Sequence, residues 1–152
     1  MKTCVYRVEF SKSSVDLIDE YERLSEHEKE WISQLDAESF FDYDTQNDNY
    51  ICFVITTPIE IKKYLEILTN NLIENKCEDL SKQILSSKIN LYEDLKSIIT
   101  PLNSIKWSFF IEDLDEWILS NLDIDIVLDR ISEVGMASLN KTEKQFLKNY
   151  HL

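Results

Sequence analysis

Glycine and proline are almost absent from this sequence, which limits how often the chain can turn sharply. Gly135 is the single glycine among 152 residues, and Pro58 and Pro101 are the only prolines. β-Sandwiches and barrels join many short strands through turns that favour these residues, whereas helices need them only at their ends. The sequence therefore predicts a chain in which helices dominate.

Apolar residues are frequent enough to build a sizeable core. They make up 43% of the chain and include three Trp, seven Tyr and seven Phe, which argues against intrinsic disorder despite the charge. The length is that of one ordinary domain. We predict a single domain over residues 1–152, in which residues 1–110 form an α+β layer and residues 111–152 form a helical module packed on it.

Three β-prone runs lie within the first 55 residues of the chain. Cys4–Phe10 alternates apolar and polar residues, as a half-buried strand does, and Tyr50–Ile55 is apolar on both faces, as an interior strand is. Phe40–Tyr43 precedes a polar turn that leads into Tyr50–Ile55. The two runs across this turn predict an antiparallel hairpin.

Local signals predict where several helices begin. Ser25 with Glu28 has capping-box spacing. Thr57 as cap, followed at once by Pro58, predicts a second helix that continues to about Asn75. Shorter helices are expected around Leu80–Leu85 and Leu91–Ile99.

Residues 105–110 fit either a strand or the buried start of a helix, because periodicity cannot separate the two. The order of elements at the start of the chain is predicted to be β-α-β-β-α. The predicted fold class is α+β, with a small, mostly antiparallel sheet and a helical C-terminal half.

Residues 111–150 are predicted to form three short helices. Their starts are marked by three capping signals: Asp113 with Glu116, Asp123 or Asp125, and Asn140 with Glu143. Gly135 follows the second apolar stripe, where a residue with positive φ can close a helix. Short helices of this kind depend on packing against one another or against the rest of the chain.

Part of this C-terminal stretch resembles a known segment. The shared residues lie within 126–149: Leu128-Asp129-Arg130-Ile131-Ser132-Glu133, Gly135, Ser138-Leu139, Glu143 and Phe146-Leu147. The segment is similar to the soluble C-terminal tail of rhomboid-family membrane proteins of Bacteroidota and of related proteins, although threonine is common where this chain has Asn140. The rhomboid catalytic serine and histidine lie in membrane helices, and no run of this sequence approaches such a length. The resemblance implies a bacterial source and a small helix–Gly–helix packing module, without protease activity.

Acidic residues are concentrated in two blocks of the chain. The formal net charge is −13. Residues 16–48 carry twelve acids against two bases, residues 112–133 carry eight against one, and residues 49–111 are balanced. A strongly negative field repels phosphate backbones, so we expect no nucleic-acid partner. The two blocks are either solvated faces or a docking surface for a basic partner.

The remaining composition argues for a reducing, cytoplasmic location. No apolar run has the length of a signal peptide or a membrane span, so no membrane partner is expected. Cys4, Cys52 and Cys77 are odd in number and show no metal-binding or redox spacing. Free cysteines of this kind behave as small hydrophobic residues.

Two aspartate motifs suggest chemistry that their surroundings do not support. Asp42, Asp44 and Asp48 are spaced like calcium ligands, but Asn47 and Phe53 stand where an EF-hand loop needs glycine and glutamate. The sequence Asp123-Ile124-Asp125-Ile126-Val127 has the form used by aspartate-nucleophile phosphatases. Only 25 residues follow it, too few for the downstream groups, so helix capping is the better interpretation.

Other catalytic machinery is also not indicated. A cysteine nucleophile needs a histidine base, and the two histidines are His27, in an acidic helix start, and His151, at the chain end. A single glycine cannot build a phosphate-binding loop. We therefore predict no catalytic residues, no metal and no cofactor.

These observations favour a non-enzymatic module that binds and blocks a basic protein, such as a toxin or nuclease, as an immunity protein or inhibitor does. The candidate partner-binding residues are Asp42, Tyr43, Asp44, Asp48, Glu112, Asp113, Asp115 and Glu116. A small carboxylate-dependent enzyme is one alternative, since 29 acids leave many pairs. An accessory structural domain is the other, and the oligomeric state is left open.

Overall fold

The computed structural model describes residues 2–10, 21–36, 39–44, 49–91 and 104–150. Within these ranges there are four strands: β1 (Cys4–Phe10), β2 (Ser39–Asp44), β3 (Asn49–Thr56) and β4 (Asn75–Asp79). The same ranges contain six α-helices: α1 (Glu26–Asp36), α2 (Pro58–Asn70), α3 (Ser81–Leu85), α4 (Ser104–Asn121), α5 (Ile124–Val134) and α6 (Lys141–Asn149). A turn of 3₁₀-helix, Met136–Ser138, separates α5 from α6. The predicted α+β class with a helical C-terminal half is confirmed.

The strands form one antiparallel sheet in the order β2-β3-β1-β4. In the register of the sheet, Val8 of β1 pairs with Cys52 of β3 on one side and with Cys77 of β4 on the other. The predicted hairpin of β2 with β3 and the interior position of β3 are both confirmed. β1 is interior as well, which its apolar alternation alone did not establish.

Helices cover both faces of the sheet, because successive side chains of a strand point to opposite faces. One face packs on α1 and α2, in a core that includes Tyr6, Val8, Cys52, Val54, Ile61 and Leu68. The other face packs on α4, α5 and α6, in a core that includes Val5, Phe53, Leu114, Val127 and Leu139. The sheet thus separates an N-terminal helical layer from a C-terminal one.

Helix α2 begins as predicted but ends earlier. Thr57 Oγ1 accepts a hydrogen bond from the backbone N–H of Glu60 at 3.2 Å, and Pro58 occupies the first helical position. The helix ends at Asn70, not at Asn75, because Leu72 adopts a positive φ of 59° and redirects the chain. The following residues form β4, an edge strand that pairs with β1 and that the sequence did not predict.

Residues 105–110 are helical, which decides between the two predicted alternatives. Helix α4 continues from Ser104 to Asn121, so the predicted helix start at Asp113 is wrong, and Asp113 and Glu116 lie inside the helix. The predicted boundary between residues 110 and 111 falls inside this helix too. The helix continues through this region because one face of it, which includes Phe110, Leu114 and Trp117, is buried without interruption.

The caps of the two last helices agree with the sequence. Asp123 accepts a hydrogen bond from the N–H of Ile126 at 2.9 Å and begins α5. Gly135 closes α5 with a φ of 81°, a conformation that residues with a side chain rarely adopt. Asn140 and Glu143 form a complete capping box, with each side chain bonded to the backbone N–H of the other residue, at 2.8 and 3.0 Å.

Two side chains in the sheet have raised pKa values, which predict a loss of stability at alkaline pH. Burial and a hydrogen bond with Cys4 raise the pKa of Tyr6. Burial and the negative charges of Asp79 and Glu78 raise the pKa of the Cys77 thiol. The unfolded chain therefore releases these protons at a lower pH than the folded chain does. The free energy of unfolding should fall as pH rises above the ordinary thiol pKa of 9.0.

Urea unfolding at pH 7 and at about pH 10 measures this effect. Cys77→Ser is the matched variant, and its stability should decline less over the same range because the shifted thiol is gone. An identical decline in both proteins would contradict the role assigned to Cys77.

Candidate functional site

The outward face of α4 carries an exposed aromatic ring among carboxylates. Phe109, Glu112, Asp113 and Glu116 follow one another at helical spacing and are all exposed. Phe109 exposes 62% of its surface. The opposite face of the helix is buried in the core, which fixes these four residues toward the exterior. We call them the α4 stripe.

Helix α5 has a similar outward face. Leu128 exposes 49% of its surface, and Asp125 and Asp129 beside it are exposed. An exposed large apolar residue is ordinary on its own. In both helices, however, the exposed apolar residue has exposed acids beside it, and apolar surface bordered by polar residues is found at interaction sites.

Acids outnumber bases in α4 and α5. Arg130 is the single basic residue in the stretch 107–140, and its Nε donates to Glu143 Oε2 at 3.1 Å. The side chain of Arg130 is 16% exposed and that of Glu143 only 2%. The positive charge of Arg130 is therefore held inward by an internal ion pair, and the other base of these two helices is Lys106, an exposed residue of α4 one turn before Phe109.

The candidate residues of the first acidic block lie in or beside β2. Asp42, Tyr43 and Asp44 belong to that strand, and Asp48 lies outside the described residues. β2 is the edge strand on which α4 packs. The ring of Phe40 in β2 lies 4.9 Å from that of Trp107 in α4, centroid to centroid. The strand and the helix that carry the candidate residues are thus in direct contact.

Asp115 differs from the other candidates on α4. It is half-buried and lines a cavity on the inner side of the helix, so it does not belong to the α4 stripe. Trp117, the nearby aromatic, is 5% exposed and donates from Nε1 to the backbone oxygen of Thr3 at 3.2 Å. Its role is in the core.

The acids of α1 lie on the other side of the sheet from α4. Helix α1 packs in the core that contains Tyr6 and Val8, whereas α4 packs in the core that contains Val5 and Phe53. The acids of α1 therefore do not form one surface with the α4 stripe. Asp42 and Asp44 of the same block belong to β2, the strand on which α4 packs.

Several acids of this layer also have internal partners. Glu28 accepts from the N–H of Ser25 at 2.9 Å and from Asn71 at 3.2 Å, and the hydrogen bonds from Ser25 lower the pKa of Glu28. Lys29 lies within 4 Å of both Glu22 and Glu26. These contacts cap α1 and stabilise its position, so the acids involved have structural partners within the protein.

A cavity of about 540 Å³ lies between α4, α5, α6 and the residues that follow α3. Glu143 reaches its polar side, but both carboxylate oxygens already accept hydrogen bonds, one from the backbone of Asn140 and one from Arg130. Glu143 therefore stabilises the start of α6 in this arrangement.

Among the residues that the structure describes, no group of three or more Cys, His, Asp or Glu is placed to hold a metal ion. In the same part of the chain, no helix combines the length and apolar character needed to cross a membrane. Comparison with known proteins gave no matching family model, no matching curated protein and no matching solved structure.

Proposed function

We propose that this protein binds a basic protein partner through the α4 stripe and blocks it, in the manner of an immunity protein or inhibitor. The observation that carries the proposal is the 62% exposure of Phe109 beside Glu112, Asp113 and Glu116. The proposal narrows the candidate surface to three of its acids and gives the central position to Phe109, because it leaves out Asp115 and the four candidates within residues 42–48.

The two kinds of side chain would contribute differently to binding. Opposite charge across an interface accelerates encounter and selects the partner. Most of the binding free energy usually comes from a few aromatic or arginine side chains that enter pockets and lose their water. Phe109 is placed to be such an anchor, with the carboxylates around it.

The geometry also defines the partner's surface. Residues at i, i+3, i+4 and i+7 of one helix fit a groove. An apolar pocket for Phe109 should be bordered there by Lys or Arg side chains that face Glu112, Asp113 and Glu116. A basic catalytic cleft has this chemistry, and occupation of such a cleft would block it.

A cytoplasmic location belongs to the same proposal. All three cysteines are free thiols, which persist in a reducing compartment. The resemblance of residues 126–149 to the tail segment of Bacteroidota proteins supports a bacterial source.

Charge reversal on the α4 stripe should weaken capture of the partner. The immobilised protein is exposed to a lysate of its source organism, and Glu112→Lys/Glu116→Lys is compared with wild type. We expect the basic protein retained by wild type to bind the variant at least about tenfold more weakly, because like charges now face each other.

The matched control is Glu30→Lys/Glu66→Lys, which makes the same change in net charge at exposed positions of α1 and α2. It should retain the partner. Phe109→Ala, with the charge unchanged, should weaken binding about 30-fold if the ring is the anchor. Equal loss in the two charge variants would show a response to net charge alone and would contradict a binding site on α4.

A further inference from the structure

The cavity behind α4 has two chemically different sides. Its wall from α3 and α4 is largely aliphatic and includes Ile84, Leu114 and Ile118. Its wall from α5 and α6 is polar and includes Arg130 and Lys141. A volume of about 540 Å³ is within the range of small-molecule sites, which combine an apolar body with a few placed polar groups.

The polar side is held in place by a chain of hydrogen bonds. Arg130 Nε donates to Glu143 at 3.1 Å, and the backbone N–H of Asn140 donates to the other oxygen of Glu143 at 3.0 Å. The side-chain amide of Asn140 donates to Ser87 Oγ at 3.2 Å. The guanidinium is thus fixed by α6, and α6 is tied to the turn after α3.

Among the residues that the structure describes, the side chain of Arg130 makes one hydrogen bond, to Glu143. A guanidinium has five N–H groups in a rigid fork, and the bond to Glu143 uses the one on Nε. An arginine held by one carboxylate can bind a second through its terminal nitrogens, with charge-assisted hydrogen bonds. Because Arg130 lines the cavity, a second carboxylate can reach it from there.

We propose that the cavity binds an amphipathic monocarboxylate. The apolar body of the ligand lies against Leu114 and Ile118, and its carboxylate binds Arg130, with Lys141 adding a second positive charge. Asp115 and Glu143 also line the cavity, so its two acids balance its two bases. Binding of the carboxylate therefore depends on direct, charge-assisted hydrogen bonds from Arg130.

Decanoate is the probe, and 1-decanol is its matched control without the charge. We expect saturable binding of decanoate in calorimetry, with shifts in the methyl NMR signals of Leu114, Ile118 and Leu122. Decanol should bind at least about tenfold more weakly, because it lacks the charged acceptor for Arg130. Equal affinity for the two probes, or no binding of decanoate up to about 1 mM, would overturn the proposal.

The variant that isolates Arg130 is the double substitution Arg130→Gln/Glu143→Gln. Two glutamines keep hydrogen-bonding capacity and leave no unpaired buried charge, so the fold should survive where Arg130→Gln alone endangers it. Decanoate affinity should fall about tenfold in the double variant while decanol affinity is unchanged. Unchanged decanoate affinity would overturn the assignment of the carboxylate to Arg130. If the double variant does not fold, the methyl NMR shifts of the wild-type protein test the proposal instead. Shifts at methyl groups outside the cavity would overturn the assignment of the ligand to this cavity.

Discussion

Replacing Arg130 by methionine should lower the free energy of unfolding by about 3–5 kcal/mol. Methionine keeps much of the length and packing of the arginine side chain but removes its charge and its N–H donors. Glu143, whose side chain is 2% exposed, would then be a buried carboxylate without its cation. Urea unfolding followed by circular dichroism at pH 7 measures the change.

The double variant Arg130→Met/Glu143→Gln separates the contribution of the ion pair to stability from that of side-chain packing. Glutamine can keep the capping box with Asn140, and no charge stays buried, so most of the lost stability should return. Lys141→Met, at an exposed position of α6, should change stability by less than about 0.5 kcal/mol. A loss below about 1 kcal/mol for Arg130→Met would show that Glu143 does not depend on Arg130.

Replacing Phe40 by alanine is expected to cost about 3–5 kcal/mol. Phe40 is fully buried between β2 and α4, and its ring centroid lies 4.9 Å from that of Trp107 and 6.1 Å from that of Phe110. The substitution would leave a cavity at the contact between the strand and the helix that carry the candidate residues. Urea unfolding measures the loss.

Phe109→Ala is the matched control for this prediction. The chemical change is the same, but Phe109 is 62% exposed, so stability should change by less than about 0.5 kcal/mol. A large loss of stability in Phe109→Ala would mean that the ring packs in the core and is not available to a partner. Similar stability of the Phe40 variant and wild type would contradict the packing of α4 on β2.

Features set by neighbouring residues were predictable from the sequence. The capping pairs Ser25–Glu28 and Asn140–Glu143 depend on hydrogen bonds across three residues, and both form. The alternation of Cys4–Phe10 depends only on the pleat of one strand. Each of these signals is complete within a short stretch of chain.

The same capping signal failed at Asp113 and Glu116, where a stronger effect opposed it. A side-chain cap contributes about 1 kcal/mol. Starting a new helix at Asp113 would interrupt the buried face formed by Phe110, Leu114 and Trp117, and each of these side chains contributes about 1.5–3 kcal/mol by burial. Tertiary packing therefore decides the length of α4.

Strand β4 could not be predicted for a related reason. Its sequence, Asn75-Lys76-Cys77-Glu78-Asp79, is polar, as edge strands often are. Its partner β1 lies about seventy positions earlier in the chain, and the turn before it uses a positive φ at Leu72, where a sequence pattern would suggest Gly or Asn.

The candidate surface was predictable only in part. Charge counting located the acids of α4, but it could not show that Asp115 lines a cavity while Glu112, Asp113 and Glu116 face outward. Nor could it assign the acids of α1 to the opposite layer. Phe109 has acids at i+3, i+4 and i+7. This pattern can be recognised only when α4 is known to include residue 109.

The measurement that tests the proposed function most directly is the dissociation constant of the captured complex as a function of salt. Between about 0.1 M and 1 M salt the screening length falls from about 10 Å to 3 Å. We expect the wild-type complex to weaken steeply over this range, and the Phe109→Ala complex to weaken in parallel from a lower starting affinity. A dissociation constant that does not change with salt would contradict binding through the acids of the α4 stripe.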